Sequence, residues 1–200
     1  MSALSIMRTI SFDFFDCELQ GGPFVLTFTD LHTSNLFVDD DWNITNVIDL
    51  EWACARPIEM QHPPYWLTNQ AVDKVDEAQY GEVHNEYMDI FRQEEKKMIE
   101  IPEKKTEELF FTELLKRSWE NGTFWFCWAL DSPTGLHHVF YHRIRPRYRA
   151  LDETAFEDEF HCVAPTFWSR DAVDLIISKA EDKREYDKQL RDAFQVPLSK

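Results

Sequence analysis

Three side chains in one short stretch carry the atoms that proton transfer and divalent-cation binding require. They are Asp30, Asn35 and Asp49, within Phe24–Trp52, FVLTFTDLHTSNLFVDDDWNITNVIDLEW. A carboxylate in a tight loop such as TDLHTSN can take a proton from an attacking hydroxyl, which contributes about 10²–10⁴ in rate when the geometry is right. An amide oxygen beside a carboxylate offers two hard oxygen ligands. Magnesium takes only one or two such ligands from a protein and leaves the rest of its octahedron to water and phosphate oxygens. Any one of the three is also an ordinary turn former, so the argument rests on their spacing and on what holds them.

Alternation and turn chemistry say what must hold them. Phe24–Phe28 reads as a strand, and Leu36–Val38 and Ile44–Ile48 read as two more, with the turn formers Asp39–Asn43 between them. A turn centred on Trp42 sets Leu36 opposite Ile48, Phe37 opposite Val47 and Val38 opposite Asn46. The next pair out is Asn35 with Asp49. Directly opposed Cα atoms in an antiparallel ladder lie roughly 4.5–5.5 Å apart, so this register brings the amide and the carboxylate together at the mouth of a hairpin.

TDLHTSN, the hairpin and then VIDLEWA resemble the catalytic loop and metal-binding segment of the aminoglycoside phosphotransferase and choline kinase-like family. That family's pattern is His-x-Asp-x-x-x-x-Asn, followed by an Asp about fourteen residues later. The text beyond it, EWACARPIEMQHPPYWLTN and GTFWFCWALDSPTGLHHVFYHRI, is similar to fungal members, so the likeness runs from about Phe24 onward. Phe28 stands where the pattern has its histidine. The resemblance implies an α+β, mainly helical, protein kinase-like C-terminal lobe with a small β-hairpin carrying the catalytic loop. It implies Asp30 as catalytic base, Asn35 and Asp49 as ligands of Mg²⁺, ATP as co-substrate and a small-molecule hydroxyl as acceptor.

A kinase of this kind also needs a lysine-bearing, β-rich nucleotide lobe before its catalytic loop. The first lysine here is Lys74, and Arg8 is the only cation before Asp30. The expectation is therefore a chain divided into a lead-in (1–23) and a C-lobe (24–200), with a catalytic segment (24–52) and a helical subdomain (68–200). It lacks the nucleotide lobe and is weak or inactive alone. The rival expectation is a non-catalytic binding or regulatory module, or a truncated product.

Two hundred residues with sixteen Phe and seven Trp suit one globular domain; a chain this long buries about 70% of its unfolded surface. A net charge of −16 argues against nucleic acid and against anionic membrane surfaces as partners. An acidic cleft would suit a cationic acceptor, and general acidity serves solubility equally well. Cys17, Cys54, Cys127 and Cys162 are widely spaced without a Cys-x-x-Cys pair, as in a reduced cytoplasmic protein. No signal peptide and no membrane span are expected.

Further along, Glu51, Arg56 and the Pro-rich His62–Pro64 read as a rigid loop near the site, with Glu51 facing the metal, paired with Arg56, or simply exposed. His32 reads as a brace for the loop rather than an acid. Thr68–Met98 reads as a long helix with Val83, Tyr87, Ile90 and Phe91 inward, broken by Pro102. Thr106–Trp119 reads as a second, with Leu109, Phe110, Leu114 and Trp119 inward and Asn121-Gly122 as its cap. Thr123–Leu130 is apolar on every side, a buried helix or central strand, and the resemblance favours helix. His138 and His142 stand at i, i+4 without a third ligand at a diagnostic spacing. Arg143, Arg145, Arg147 and Arg149 are expected to pair with the acidic run Glu153–Phe160. Ser169–Phe194 reads as a closing helix, capped by Ser169 or Asp171, with Val173, Ile176, Ile177 and Ala180 inward.

Overall fold

The computed structural model describes residues 2–99, 110–148 and 163–194. In chain order the main elements are α1 (Ser2–Ile10), β1 (Phe24–Phe28), β2 (Leu36–Val38), β3 (Ile44–Val47) and β4 (Ala53–Pro57), then α2 (Glu77–Ile99), α3 (Phe110–Asn121), α4 (Thr123–Asp131), α5 (Leu136–Val139) and α6 (Ala172–Phe194). Short 3₁₀ turns link them, and a π-helical turn, Phe140–Ile144, continues α5. The protein is mostly helical with a minor antiparallel β component. It divides into two units, residues 6–149 and residues 1–5 with 150–200. The expected break at Pro102, the helix start at Thr106, Leu109, Arg149, Cys162 and the acidic run Glu153–Phe160 lie outside the described residues.

In the larger unit α4 is the centre. Its sequence, TFWFCWALD, has no polar stripe to turn toward water, and residues 123–129 are all buried. Gly122, in the left-handed region at φ +85°, ends α3 and starts α4, as the Asn-Gly pair predicts. Phe14 and Phe15, in the stretch read as a lead-in, pack on Phe126 at ring separations of 4.6 and 5.4 Å. Thr123 donates its hydroxyl to the Phe14 carbonyl (2.8 Å). From α2, Glu95 accepts the backbone N–H groups of Phe111 (2.8 Å) and Thr112 (2.9 Å), placing a negative charge at the amino end of α3.

The helical faces differ from the expected ones. α2 begins at Glu77, after 3₁₀ turns at Tyr65–Thr68 and Val72–Lys74, rather than at Thr68. Its buried stripe is Tyr80, His84 and Met88, while Val83, Tyr87 and Phe91 are half-buried and Ile90 is exposed. The reason is the aromatic cluster around α4: Tyr80 packs edge-on to Trp128 (5.0 Å) and His84 stacks on Trp119 (4.2 Å), which outweighs a simple aliphatic count. In α3, Leu114 is buried as expected, Trp119 is half-buried and Phe110 is exposed.

Arg143 pairs with Glu77 at the start of α2 and lies over Trp125 (5.0 Å). Arg145 covers the Tyr141 ring (5.5 Å). His138 and His142 stack at 4.1 Å, and His142 Nδ1 lies 2.9 Å from the His138 carbonyl.

The β residues form two two-stranded ribbons, β1–β4 and β2–β3. β4 falls in the stretch read as a loop, and it pairs antiparallel with β1 from Phe24 opposite Pro57 to Phe28 opposite Ala53. In the β2–β3 ribbon the turn is centred on Asp41 rather than Trp42, with Asp39 donating to the Asn43 carbonyl, so Val38 faces Ile44, two residues off the expected register. A bulge between Phe37 and Val38 takes back one of the two, so Phe37 faces Asn46 and Leu36 faces Val47, each one residue off. Trp42 itself is left-handed (φ +65°), and the Asp39 carboxylate accepts from the backbone of Asp41 and Asn43 to close the turn.

In the smaller unit, Trp168 donates its indole N–H to Ser5 (2.8 Å), and Ser169 Oγ accepts from the backbone of Asp171 just ahead of α6. Of α6 only Ala172 is buried; Val173, Ile176, Ile177 and Ala180, expected inward, are exposed. No helix among the described residues is long and apolar enough to cross a membrane.

His84 makes the core sensitive to acid. It is 3% exposed, neither ring nitrogen has a hydrogen-bond partner among the described residues, and burial lowers its pKa to about 4. Unfolded, an imidazole titrates near 6.5, so between those values the unfolded chain holds a proton that the folded chain refuses. Stability is full above pH 6.5 and declines as pH falls toward 4, by about 1–3 kcal/mol. Melting temperature measured from pH 7.5 to 4.5 should fall accordingly. His84→Phe, which keeps the stacked ring and removes the titrating nitrogens, should flatten that slope; an unchanged slope would refute the assignment.

Candidate functional site

Asp30, His32 and Asn35 sit in the connection from one ribbon to the other, so the loop is strung between β1 and β2 rather than carried at the mouth of a single hairpin. Two backbone contacts fix its ends. Thr29 donates to the Trp52 carbonyl (2.9 Å), extending the β1–β4 ladder by one pair, and Ile48 donates to the Asn35 carbonyl (3.0 Å), extending the β2–β3 ladder likewise. Between them a 3₁₀ turn at Thr33–Asn35 brings the chain round, with Asn35 N–H donating to the His32 carbonyl (3.0 Å).

Asn35 is buried and does two jobs. Its Oδ1 accepts the His32 backbone N–H (2.8 Å), and its Nδ2 lies 3.4 Å from Oδ2 of Asp49. The Asn35–Asp49 proximity expected from sequence is therefore present, but by a different route. The ladder places Ile48, not Asp49, at the next position, and Asp49 turns back through a left-handed backbone (φ +63°). Non-glycine residues adopt that conformation rarely, and Asp tolerates it better than most. The amide thus presents its N–H to Asp49 and its oxygen to His32, and Oδ1 keeps one acceptor lone pair after the His32 bond.

Asp30 joins the same string through His32, whose Nε2 is 3.0 Å from Asp30 Oδ1 and whose Nδ1 is 3.2 Å from the Tyr65 hydroxyl. With Nε2–H donating to the carboxylate, Nδ1 is the acceptor and Tyr65 the donor. One carboxylate oxygen is thereby held and the other faces out. Burial, and then the charge of Asp30, raise the Tyr65 pKa and keep the phenol protonated. Trp66 donates to the Leu31 carbonyl (2.7 Å) and pins the loop from the other side.

A cleft of about 290 Å³ opens beside Asp30 and His32. Its far wall includes Arg56 and His62, from the stretch read as a loop near the site, together with Asp131, which the sequence did not point to. Arg56 makes a bidentate pair with Asp131, with Nη1 2.8 Å from Oδ2, and His62 Nε2 is 3.0 Å from the same carboxylate. Arg56 is thus committed to Asp131 and not to Glu51, which is exposed. His62 Nδ1 lies 3.2 Å from the Trp128 indole nitrogen and 3.0 Å from the Pro63 carbonyl oxygen, and these contacts hold the ring with Nε2 facing Asp131. Burial opposes ionisation of Asp131, but the hydrogen bonds from Arg56 and His62 outweigh it and hold the pKa near 2. Asp131 is the last residue of α4, where a carboxylate opposes the helix dipole; the two cationic and N–H partners offset that.

No sequence signal pointed to this second group, because its members lie 69 and 75 residues apart. Only the closure of β4 onto β1 brings Arg56 to the end of α4. Among the described residues no group of three His, Cys, Asp or Glu side chains converges as a metal site. The Asn35–Asp49 pair is a smaller set, with one acid and one amide.

No family model, no curated protein and no solved structure matches this chain.

Because Arg56 and Asp131 are largely shielded, removing one strands the other. Asp131→Asn should lower unfolding free energy by about 1–3 kcal/mol in urea titrations. In a double-mutant cycle with Arg56→Gln the second substitution should cost much less than it does alone, and strict additivity would show that the pair contributes no coupling.

Proposed function

We propose that this chain carries the catalytic and metal-binding segment of a phosphotransferase of the aminoglycoside phosphotransferase and choline kinase-like type, acting on the hydroxyl of a small molecule. The observation that carries the reading is the continuous hydrogen-bonded string Asp30–His32–Asn35–Asp49, whose Asp30 and His32 end lines an open cleft while Asn35 and Asp49 lie outside its lining. Bases and cation ligands that work on one reaction must be held in one frame, and here the β1–β2 loop carries Asp30 and Asn35 while the β3–β4 connection brings Asp49 to Asn35.

In this reading the acceptor hydroxyl enters the cleft next to Asp30. The carboxylate oxygen not engaged by His32 orients it and takes its proton as the oxygen bonds to the γ-phosphorus of ATP and the bond to ADP breaks. His32, held by Tyr65, keeps Asp30 in one orientation. Asn35 Oδ1 and the Asp49 carboxylate would hold Mg²⁺, which when bound neutralises charge on the phosphates. The nearby Asp131 carries no free charge toward the cleft, since Arg56 and His62 occupy it. That leaves Asp30 as the acid group available to an acceptor, which is compatible with a cationic one.

The reading makes two measurable demands. Millimolar ATP with magnesium should raise the melting temperature by several degrees, about 1–3 kcal/mol of linkage for ligand at ten to a hundred times its Kd, and the shift should vanish in Asp49→Ala. Any phosphoryl transfer to a hydroxyl acceptor should drop by about 10²–10⁴ in Asp30→Asn, with the nucleotide shift retained. Absence of any nucleotide shift would favour the other reading, a non-catalytic binding module built on the same loop.

A further inference from the structure

The β1–β4 ribbon has two faces, and among the described residues one is much the more exposed. Val25, Thr27 and Arg56 are half-buried, and Thr27 and Arg56 line the cleft. The opposite face holds Phe24 and Leu26 on β1, 55% and 67% exposed and paired across the ladder with the half-buried Pro57 and with Ala55, and ends at Phe28, which is 41% exposed, pairs with Ala53 and also reaches the cleft lining. An antiparallel ribbon covered on one side ordinarily alternates apolar with polar, so that its outer face meets water. This outer face carries no polar side chain at all. Bare apolar surface of this continuity marks a contact site.

Its shape selects the occupant. Three large side chains stand in a row along β1, and beside them on β4 lie two alanines, so the face is a step: a ridge with a shallow trough next to it. A further strand would add to a ribbon edge and leave the step uncovered. A helix laid along the trough would cover it, which is the usual way a sheet face is closed. Five residues of strand run about 17 Å, the length of about eleven helical residues.

Charge selects the flanks. From Phe24 to Pro57 there are six acids, Asp30, Asp39, Asp40, Asp41, Asp49 and Glu51, against one base, Arg56, already committed to Asp131. Asp30 and Glu51 both lie at the Phe28–Ala53 end of the ribbon, just beyond the Thr29–Trp52 pair. A second copy of this chain would bring the same acids and a net charge of −16 against each other.

We propose that the outer face of β1–β4 docks an amphipathic helix of another polypeptide, its apolar stripe seated over Ala53 and Ala55 against Phe24, Leu26 and Phe28, and its flanks rich in lysine or arginine. This does not rest on the phosphotransferase reading, since it uses neither nucleotide nor metal.

The probes are two fluorescein-labelled synthetic helices of about fourteen residues with one Leu/Ala stripe, flanked by Lys in one and by Glu in the other. Anisotropy titrations against the full chain should show the Lys-flanked helix binding at least about tenfold tighter, with affinity falling as salt is raised. Leu26→Glu and Ala55→Arg should each weaken it at least about tenfold. Both replaced side chains are exposed, and unchanged thermal melts would establish that folding is intact. Leu190→Glu, an exposed apolar position on α6, should leave binding unchanged. Equal binding of the two helices, no binding, or equal loss in Leu190→Glu would overturn the proposal. So would a dimer in sedimentation velocity that Leu26→Glu dissolves, which would assign the face to a second copy.

Discussion

The constraint on which the larger unit depends is that α4 cannot face water on any side. A helix reading TFWFCWALD has no polar stripe, so every side must be met by another element: α3 and α2 through the Trp119–Tyr80–His84 cluster, the early residues through Phe14 and Phe15, and the Pro-rich stretch through Tyr65. Burial at about 25 cal/mol per Å² makes this enclosure the dominant stabilising term. It also fixes where α4 ends, and its last residue, Asp131, is the point at which the helical body touches the functional cleft.

From that contact the site reads as one chain of dependence. Trp128 and the Pro63 carbonyl hold the His62 ring, His62 and Arg56 hold Asp131 ionised, and Arg56 belongs to β4, which closes β1, which starts the loop bearing Asp30. Tyr65 touches both worlds, edge-on to Trp128 and bonded to His32. Rigidity in the loop comes from aromatic packing under it, which is a different solution from a polar brace at position 28.

Sequence patterning found what is local. Strands β1, β2 and β3 followed from alternation, the burial of residues 123–129 from uninterrupted apolarity, though not the choice of helix over strand, and the α3–α4 junction from Asn121-Gly122. It failed where a nonlocal partner decides. Ala53–Pro57 holds a proline and an arginine and looks like loop until Phe24–Phe28 is laid beside it. A turn centred on Asp41 rather than Trp42, and a bulge that takes back one residue of the resulting shift, set the β2–β3 register, which no count of alternating residues reveals, and the left-handed turn at Asp49 brings it to Asn35 all the same. On α2, a histidine and a tyrosine displaced the aliphatic stripe because aromatic neighbours contributed by α3 and α4 were waiting for them.

The identity of residue 35 also constrains what its neighbour can be. Were it an aspartate, two carboxylates would meet at the 3.4 Å now spanned by an amide, and acids so close share a proton rather than both ionising. The neutral amide puts no second acid there and gives Asp49 a hydrogen bond through Nδ2 instead. The asymmetry of the pair, one group acidic and one merely dipolar, is what lets the two stand in contact without repelling each other.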